Sequence, residues 1–444
     1  MTRFNQFGGS IGGPIRIPKV VDGRNKLFFF FTYEGIKQSE PEPTFSTIAT
    51  EAQRKGDFSS LLSQGIRIYD PNTGVLNNGV ITRQPFAGNI IPPNRISPIA
   101  TNILGFLPLP NATGSAIGEN NRFDNAVRSD NFSSYVGRID WNISDRHKLF
   151  FNMRQNDRIE NRGNRYNNIV SGNFLSRVNW GFLFDDVYTA TPTLLFNTRV
   201  NWNRFVEGST RSSDGFDFTT LGLPASLKGS STKNVFPRID FSTYSDFGDN
   251  GGDKTPFDTY QIFESITKIT GKHSLKFGAD LRKQIESSNA YGNSSGIYAF
   301  NTDWTRAASN AASAPIGQDL AGLLLGLPTG GNFQVNASRT NQSYYYATFL
   351  QDDWRVRNNL TLNIGLRYES ETGTTERFNR TLAGFDPTAQ NSVTAAAEAS
   401  YAASPSALLP ASAFRARGGG VFCGTRQEHH LRPIQVQLFA PLRF

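Results

Sequence analysis

The sequence predicts an all-β chain: antiparallel hairpins long enough to cross a membrane, with short turns at one end and long loops at the other. Three observations carry this reading. Alternation of period two recurs in segments of about ten residues. The connections between segments alternate between a few residues and several tens. The second face of the segment 135–143 carries Arg and Asp together, which suits water better than a core.

Bulk properties exclude several classes. The 444 residues hold 45 Lys+Arg and 37 Asp+Glu, a formal charge of +8. That excess is mild, and the densest basic pair is Arg54-Lys55. A nucleic-acid partner would need a clustered basic stripe, so none is expected. Aromatics reach 12%, with 36 Phe, too many for a disordered chain. One Cys, Cys423, rules out a disulfide scaffold and a Cys-rich metal site. The longest apolar runs, 27–31 and 323–325, are far too short for a membrane-spanning helix. Met1 is followed by Thr2-Arg3-Phe4-Asn5-Gln6, so no secretory signal is read.

The first strand is expected over 27–38, followed by a long polar stretch over roughly 39–130. The next segment places Tyr135, Gly137, Ile139, Trp141 and Ile143 on one face and Val136, Arg138, Asp140 and Asn142 on the other. A turn, Ser144-Asp145-Arg146-His147, leads to Leu149, Phe151 and Met153. A second pair is expected over 174–188 and 195–206, with Val178, Trp180, Phe182 and Phe184 sharing a face. A third turns at Gly271-Lys272-His273-Ser274, and a fourth runs over 344–354 and returns through Leu360, Leu362, Ile364, Leu366 and Tyr368. The count is nine strands. Stretches near 158–173, 207–258 and 286–342 are rich in Gly, Asn, Ser, Thr and Pro and read as irregular loops.

In hydrocarbon every backbone N–H and C=O must pair internally, so only a helix or a closed sheet can span. A spanning strand needs about 9–11 residues, with lipid on one side and water on the other. Tyr135, Trp141, Trp180, Tyr188, Trp202, Tyr344, Trp354 and Tyr368 lie near strand ends and suit interfacial girdles. The rival is a soluble β-sandwich that buries one face.

No motif converges on catalysis, a cofactor or a metal. Asp185-Asp186 and Asp352-Asp353 look like paired carboxylates, but neighbours on a strand point to opposite faces. Asp249-Asn250-Gly251-Gly252-Asp253 lacks the spacing of a calcium loop and reads as a turn. His429-His430-Leu431 with Cys423 has poor ligand geometry. His147 and His273 sit in short turns without a nucleophile elbow. The run Gly8-Gly9-Ser10-Ile11-Gly12-Gly13 lacks the Lys-Ser/Thr of a P-loop and reads as close backbone packing. The segment 322–328 reads as a short helix or turn packed within a loop. Tyr291, Tyr298 and Trp304 are loop aromatics able to stack on sugars.

Several segments together resemble one family. Asn5-Gln6-Phe7-Gly8-Gly9-Ser10-Ile11-Gly12-Gly13-Pro14-Ile15 and Asn25-Lys26-Leu27-Phe28-Phe29-Phe30-Phe31-Thr32-Tyr33-Glu34-Gly35 resemble the plug-to-barrel junction of TonB-dependent receptors of the Oar-like branch. Gly56-Asp57-Phe58-Ser59, Ile68-Tyr69-Asp70-Pro71, Arg83-Gln84-Pro85-Phe86-Ala87-Gly88-Asn89 and Ile91-Pro92-Pro93-Asn94-Arg95-Ile96 look like its first outer loop. Asp140-Trp141-Asn142 with Lys148-Leu149-Phe150, and Gln351-Asp352-Asp353-Trp354 with the strand from Leu360 to Glu369, are similar to its barrel strands. The resemblance covers roughly residues 3–417.

The resemblance implies an outer-membrane receptor with a plugged barrel of about 22 strands, which imports a scarce ligand with energy delivered by TonB. It implies no enzyme and no cofactor. Its partners would be outer-membrane lipid, an unknown extracellular ligand, and the TonB complex through an N-terminal segment of the parent. The expected division is 1–24 as the end of the plug and its junction, 25–417 as a partial barrel, and 418–444 as an atypical tail. That tail is read as out of frame; its rival is a terminal strand in which Val436, Leu438, Ala440, Leu442 and Phe444 alternate, interrupted by Pro441. With about nine strands the chain is expected to be a piece of such a receptor, unable to close or transport alone. A porin-like channel and a secreted β-rich binding protein are the competing readings.

Overall fold

The computed structural model describes residues 1–406, 408–422, 435–439 and 442–443. One antiparallel sheet organises them. Its long strands are β1 (Arg3–Pro14), β2 (Leu27–Ser46), β3 (Arg122–Ser144), β4 (His147–Arg162), β5 (Asn173–Thr191), β6 (Leu194–Arg211), β7 (Asp253–Thr270), β8 (His273–Ala290), β9 (Arg339–Arg357) and β10 (Leu360–Glu371). A short β11 (Gln435–Phe439) pairs with β10. The strands lie side by side in chain order. All nine expected strands are present. The Gly-rich segment adds a tenth, since β1 pairs with β2 along its whole length, from Arg3 opposite Ser39 to Pro14 opposite Phe28.

Turns of two residues, at 145–146, 192–193, 271–272 and 358–359, close one end of the sheet. Gly271 supplies the positive φ, 58°, that a tight hairpin turn favours. The opposite end carries the connections 47–121, 163–172, 212–252 and 291–338. These are shorter than expected because the strands are longer. From β2 to β9 they run 16 to 23 residues. Pairing continues past the apolar alternation into stretches polar on both faces. Pro41 and Pro43 fit inside β2 because β1 stops pairing at Ser39, leaving β2 an edge strand there.

The register separates the two faces. Phe29, Ile139, Phe151, Phe184, Val200, Ile262, Leu281 and Tyr346 stand directly opposite one another, forming one apolar row from β2 to β9. From Ile139 to Tyr346 these side chains are 38% to 54% exposed. A sandwich would bury such a row against a second sheet; here it is open, as a lipid-facing surface must be. The stretch 27–35, at about 3.3 Å per residue and a tilt near 40°, rises about 23 Å, close to the apolar band of an outer-membrane barrel. The eight girdle aromatics share this face.

The core lies elsewhere. The largest fully buried side chains, among them Phe58, Phe218, Phe236, Leu104, Leu221, Ile316, Leu320 and Leu324, all belong to the long connections. Those connections were expected to be irregular. Instead 47–121, 163–172, 212–252 and 291–338 pack around a single hydrophobic cluster. Arg238–Phe241, Ile297–Phe300 and Gly330–Asn332 form a small sheet that joins two of them. The helix α1 (Gln318–Leu324) is buried along its whole length, so 322–328 does pack within a loop.

Candidate functional site

The polar face of the sheet is a wall of compensated charge. Near the short-turn end, Arg138 pairs with Asp140 at 2.6 Å, Arg199 with Asp185 at 2.6 Å, Arg282 with Asp280 at 2.5 Å, and Arg367 with Glu369. Each guanidinium also stacks on an aromatic ring: Phe150, Phe263, Tyr345 and Phe349 respectively, at 4.5 to 6.0 Å from the centroid. Three of the four pairs are Arg and acid two apart on one strand, so the period that puts apolar residues on one face puts both charges on the other. Toward the long loops a second network crosses five strands. Glu40 meets Arg128 at 3.0 Å, Arg128 meets Glu160 at 2.9 Å, and Arg177 bridges Glu160 and Glu207 at 2.7 Å each. Arg158 pairs with Asp130 beside it.

Between these belts the wall is mostly neutral and polar. Asn156, Asn179, Asn203, Thr259, Gln284 and Ser343 point the same way, around a stacked pair, Phe205 and Phe257, whose centroids are 6.2 Å apart. Arg154 reaches across Gly181 to donate to Asn203 Oδ1 at 3.1 Å. A Cβ on Gly181 would lie 2.8 Å from Arg154 Nε, so the glycine makes room for that reach.

Above the wall sits the packed cap. Several of its buried polar side chains are held mainly by backbone groups. The fully buried Asp319 carboxylate accepts from Thr243 N at 2.6 Å and Thr243 Oγ1 at 2.7 Å, and from Leu320 N at 2.9 Å. Asn89 accepts from Ile68 N and donates to the carbonyls of Phe58 and Ile66. Asn121 and Ile48 exchange two hydrogen bonds. Arg54 donates to the carbonyls of Leu104, Leu107 and Pro108, and burial lowers its pKa. Burial, with the Asp319 charge adding to it, pushes the Tyr244 phenol well above its ordinary value.

The residues singled out from sequence fall as follows. Asp185 pairs with Arg199 on the polar face, while Asp186 meets His147 Nε2 at 2.9 Å on the other. Asp352 meets His273 Nδ1 at 2.6 Å, and Asp353 accepts from Gln351 on the opposite face. Neither carboxylate pair converges. The two histidines share one setting, each opposite an aromatic two positions beyond its Asp partner: Tyr188 for His147 and Trp354 for His273. Asp249 and Asn250 lie in an irregular stretch held by Arg211, where Asn250 Oδ1 accepts from Gly252 N at 3.0 Å. Lys233 lies over the Tyr291 ring at 4.8 Å, burial raises the Tyr298 phenol, and Trp304 Nε1 donates to Pro328 O at 3.2 Å. Cys423, His429, His430 and Leu431 lie outside the described residues, as do Ala440, Pro441 and Phe444. Among the described residues, no three His, Cys, Asp or Glu side chains gather as a metal site.

Sequence reasoning missed the cap and Asp319. The charge belts had a readable signal, the repeats Arg138-Ile139-Asp140, Asp280-Leu281-Arg282 and Arg367-Tyr368-Glu369.

Comparisons with known proteins follow the fold. The outer membrane transporter YddB from Escherichia coli matches with 11% identity and a TM-score of 0.45, over 84% of this chain and 35% of that one. The ferric-catecholate import receptor Fiu from Escherichia coli K12, in its closed form, matches with 9% identity and a TM-score of 0.36, over 99% and 45%. The copper transporter OprC matches with 9% identity and a TM-score of 0.33, over 99% and 42%. The chain therefore spans less than half the length of these proteins. No curated protein matches it in sequence. The family described as outer membrane beta barrel domain matches residues 1–441, and the chain belongs to that family, a β-sheet protein of the bacterial outer membrane.

Proposed function

We propose that this chain is part of an Oar-like TonB-dependent receptor, which binds a scarce extracellular ligand and imports it with energy delivered by TonB. The observation that carries this reading is the cap. Four connections spread over 47–338 share one hydrophobic core above a charge-compensated wall. Such a cap presents a shaped surface for capture, where a passive pore needs an unobstructed mouth.

Membership of the outer-membrane family supports lipid as one partner. The TonB complex is the proposed inner partner, engaged through an N-terminal segment of the parent protein. Further strands of that parent complete the barrel. Among the described residues β1 pairs on one side only, with β2. A bare strand edge in hydrocarbon costs several kcal/mol per unpaired group. The isolated chain is thus incomplete and does not transport. The division at residues 24 and 417 is part of the same proposal: 1–24 is the plug-to-barrel junction, contributing β1 to the sheet, 25–417 the partial barrel, and 418–444 the tail. No catalytic step is assigned to it.

Growth of host strains on a panel of sole nutrient sources tests this. Deleting the full gene should remove growth on a source that a strain lacking TonB also fails to use. If the gene deletion grows like its parent on every source that the TonB deletion cannot use, the receptor reading is wrong.

A further inference from the structure

We infer that the polar wall of β6–β9 carries a carbohydrate subsite, with Phe205 and Phe257 as a stacking platform and Gln284, Glu286 and Asn341 as its hydrogen-bonding rim. This deepens the receptor reading and rests on it, since it names the class of ligand the wall would take.

Unused hydrogen-bonding capacity gathers at one place on this wall. Phe205, Phe257, Glu286 and Asn341 stand in one cross-strand row. A cavity of about 310 Å³ opens beside Phe257, lined by Gln284, Glu286, Asn341 and Glu371. That volume is at the small end of ligand sites. Elsewhere on this face each belt arginine is neutralised by an acid. Here, among the described residues, no hydrogen bond or ion pair engages the side chains of Gln284, Glu286, Asn341 or Glu371. The belts pair their charges with one another, while these four polar side chains stand unpaired around one hollow.

The chemistry of the set narrows the ligand. Phe257 is 40% exposed, and its ring lies 28° from that of Phe205. The exposed Phe257 ring, backed by Phe205, offers an apolar surface to the C–H face of a sugar ring. Carboxylates accept from two neighbouring hydroxyls at once, and amides both donate and accept. Two carboxylates without a cation repel phosphate, sulfate and carboxylate ligands. Asp258 also lines the hollow, but its carboxylate is held by Arg204 and by Trp202 Nε1, and among the described residues no three acids or imidazoles gather as a divalent-metal site. A neutral, polyhydroxylated oligosaccharide fits all of these features.

A printed array of neutral and acidic oligosaccharides, probed with the full gene product in detergent, tests the inference. Binding to neutral oligosaccharides is expected, weakened at least tenfold by Phe257→Ala, several-fold by Glu286→Gln, and little by Phe257→Tyr. Heat-modifiable gel mobility confirms that each variant is folded. A blank array, binding confined to acidic glycans, or binding unchanged by Phe257→Ala overturns the inference. The growth assay separates the two proposals. Shared nutrient dependence with a blank array removes only the carbohydrate subsite. A positive array without TonB-linked growth removes the receptor reading and leaves a sugar-binding wall.

Discussion

Asp319 accepts hydrogen bonds from both the backbone N–H and the hydroxyl of Thr243, at 2.6 and 2.7 Å, and so fastens the connection 291–338 to 212–252. The carboxylate is fully buried, and its remaining bonds also come from protein groups, including Leu320 N on its own helix. A buried carboxylate persists only when hydrogen-bonded this thoroughly. Asp319→Ala leaves the Thr243 donors without an acceptor, and a loss of about 3 kcal/mol is expected in the cap. Hydrogen exchange should rise across 212–252 and 291–338 while the sheet stays protected. Equal exchange in wild type and variant would show that the contact does not hold the cap.

The apolar row predicts an asymmetry between neighbours. Val200 lies on the exposed apolar face, and Asn201, next along β6, faces the polar wall. An Arg at a lipid-facing midplane position costs about 2–4 kcal/mol, whereas one facing water costs little. In the full gene product, Val200→Arg should therefore sharply reduce folding into lipid vesicles, and Asn201→Arg should not. Folding yield measured by gel mobility decides it; equal yields would contradict the assignment of faces.

Strand β1 is held by close approach. A Cβ placed on Gly35 would lie 2.7 Å from Phe7 Cε2 and 2.8 Å from the Tyr33 hydroxyl, while one on Gly9 meets nothing within 4 Å. Phe7 thus lies over the bare backbone at Gly35, opposite it in the register. Gly35→Val should loosen β1, exposing its amides to exchange, and Gly9→Ala should leave them protected. If both behave alike, Phe7 does not anchor the edge.

These residues also show how much of the fold is legible in the sequence. Val200, Ile262 and Leu281 alternate with polar neighbours, and period two alone assigns them to one face. The Asp185-Asp186 and Asp352-Asp353 pairs divide between faces as that period requires. The strand ends were hidden because Gln38, Glu40 and Glu42 look like loop residues, although in water above the membrane they pair as well as any others. The cap was hidden for a different reason. Phe58, Phe218 and Leu320 come from segments far apart in sequence, set among Gly, Asn and Pro without any period, so only the fold brings them together. Asp319 carries no sequence signal of its own, since an isolated Asp is usually exposed.

A pH titration checks one corner of the cap. The Asp217 carboxylate accepts from Lys228 Nζ at 2.6 Å, Thr219 Oγ1 at 2.7 Å and Thr219 N at 3.1 Å, capping the short helical turn Phe218–Leu221. The Lys228 bond first, then those from Thr219, lower its pKa to about 2. A depressed carboxylate contributes stability above its unfolded pKa, near 3.9, and loses it as pH falls through the folded value. The cap at 212–230 should therefore be insensitive to pH from neutral down to about 4, and loosen between about 4 and 2. Carbon-13 NMR of the Asp217 carboxyl should show a midpoint near 2. Lys228→Met should move the midpoint upward but not fully to about 3.9, because the Thr219 donors remain. The pair is exposed to solvent, so about 1 M salt should raise the wild-type midpoint by screening Lys228. A wild-type midpoint already near the ordinary carboxylate value would show that Asp217 is not held by Lys228 in solution.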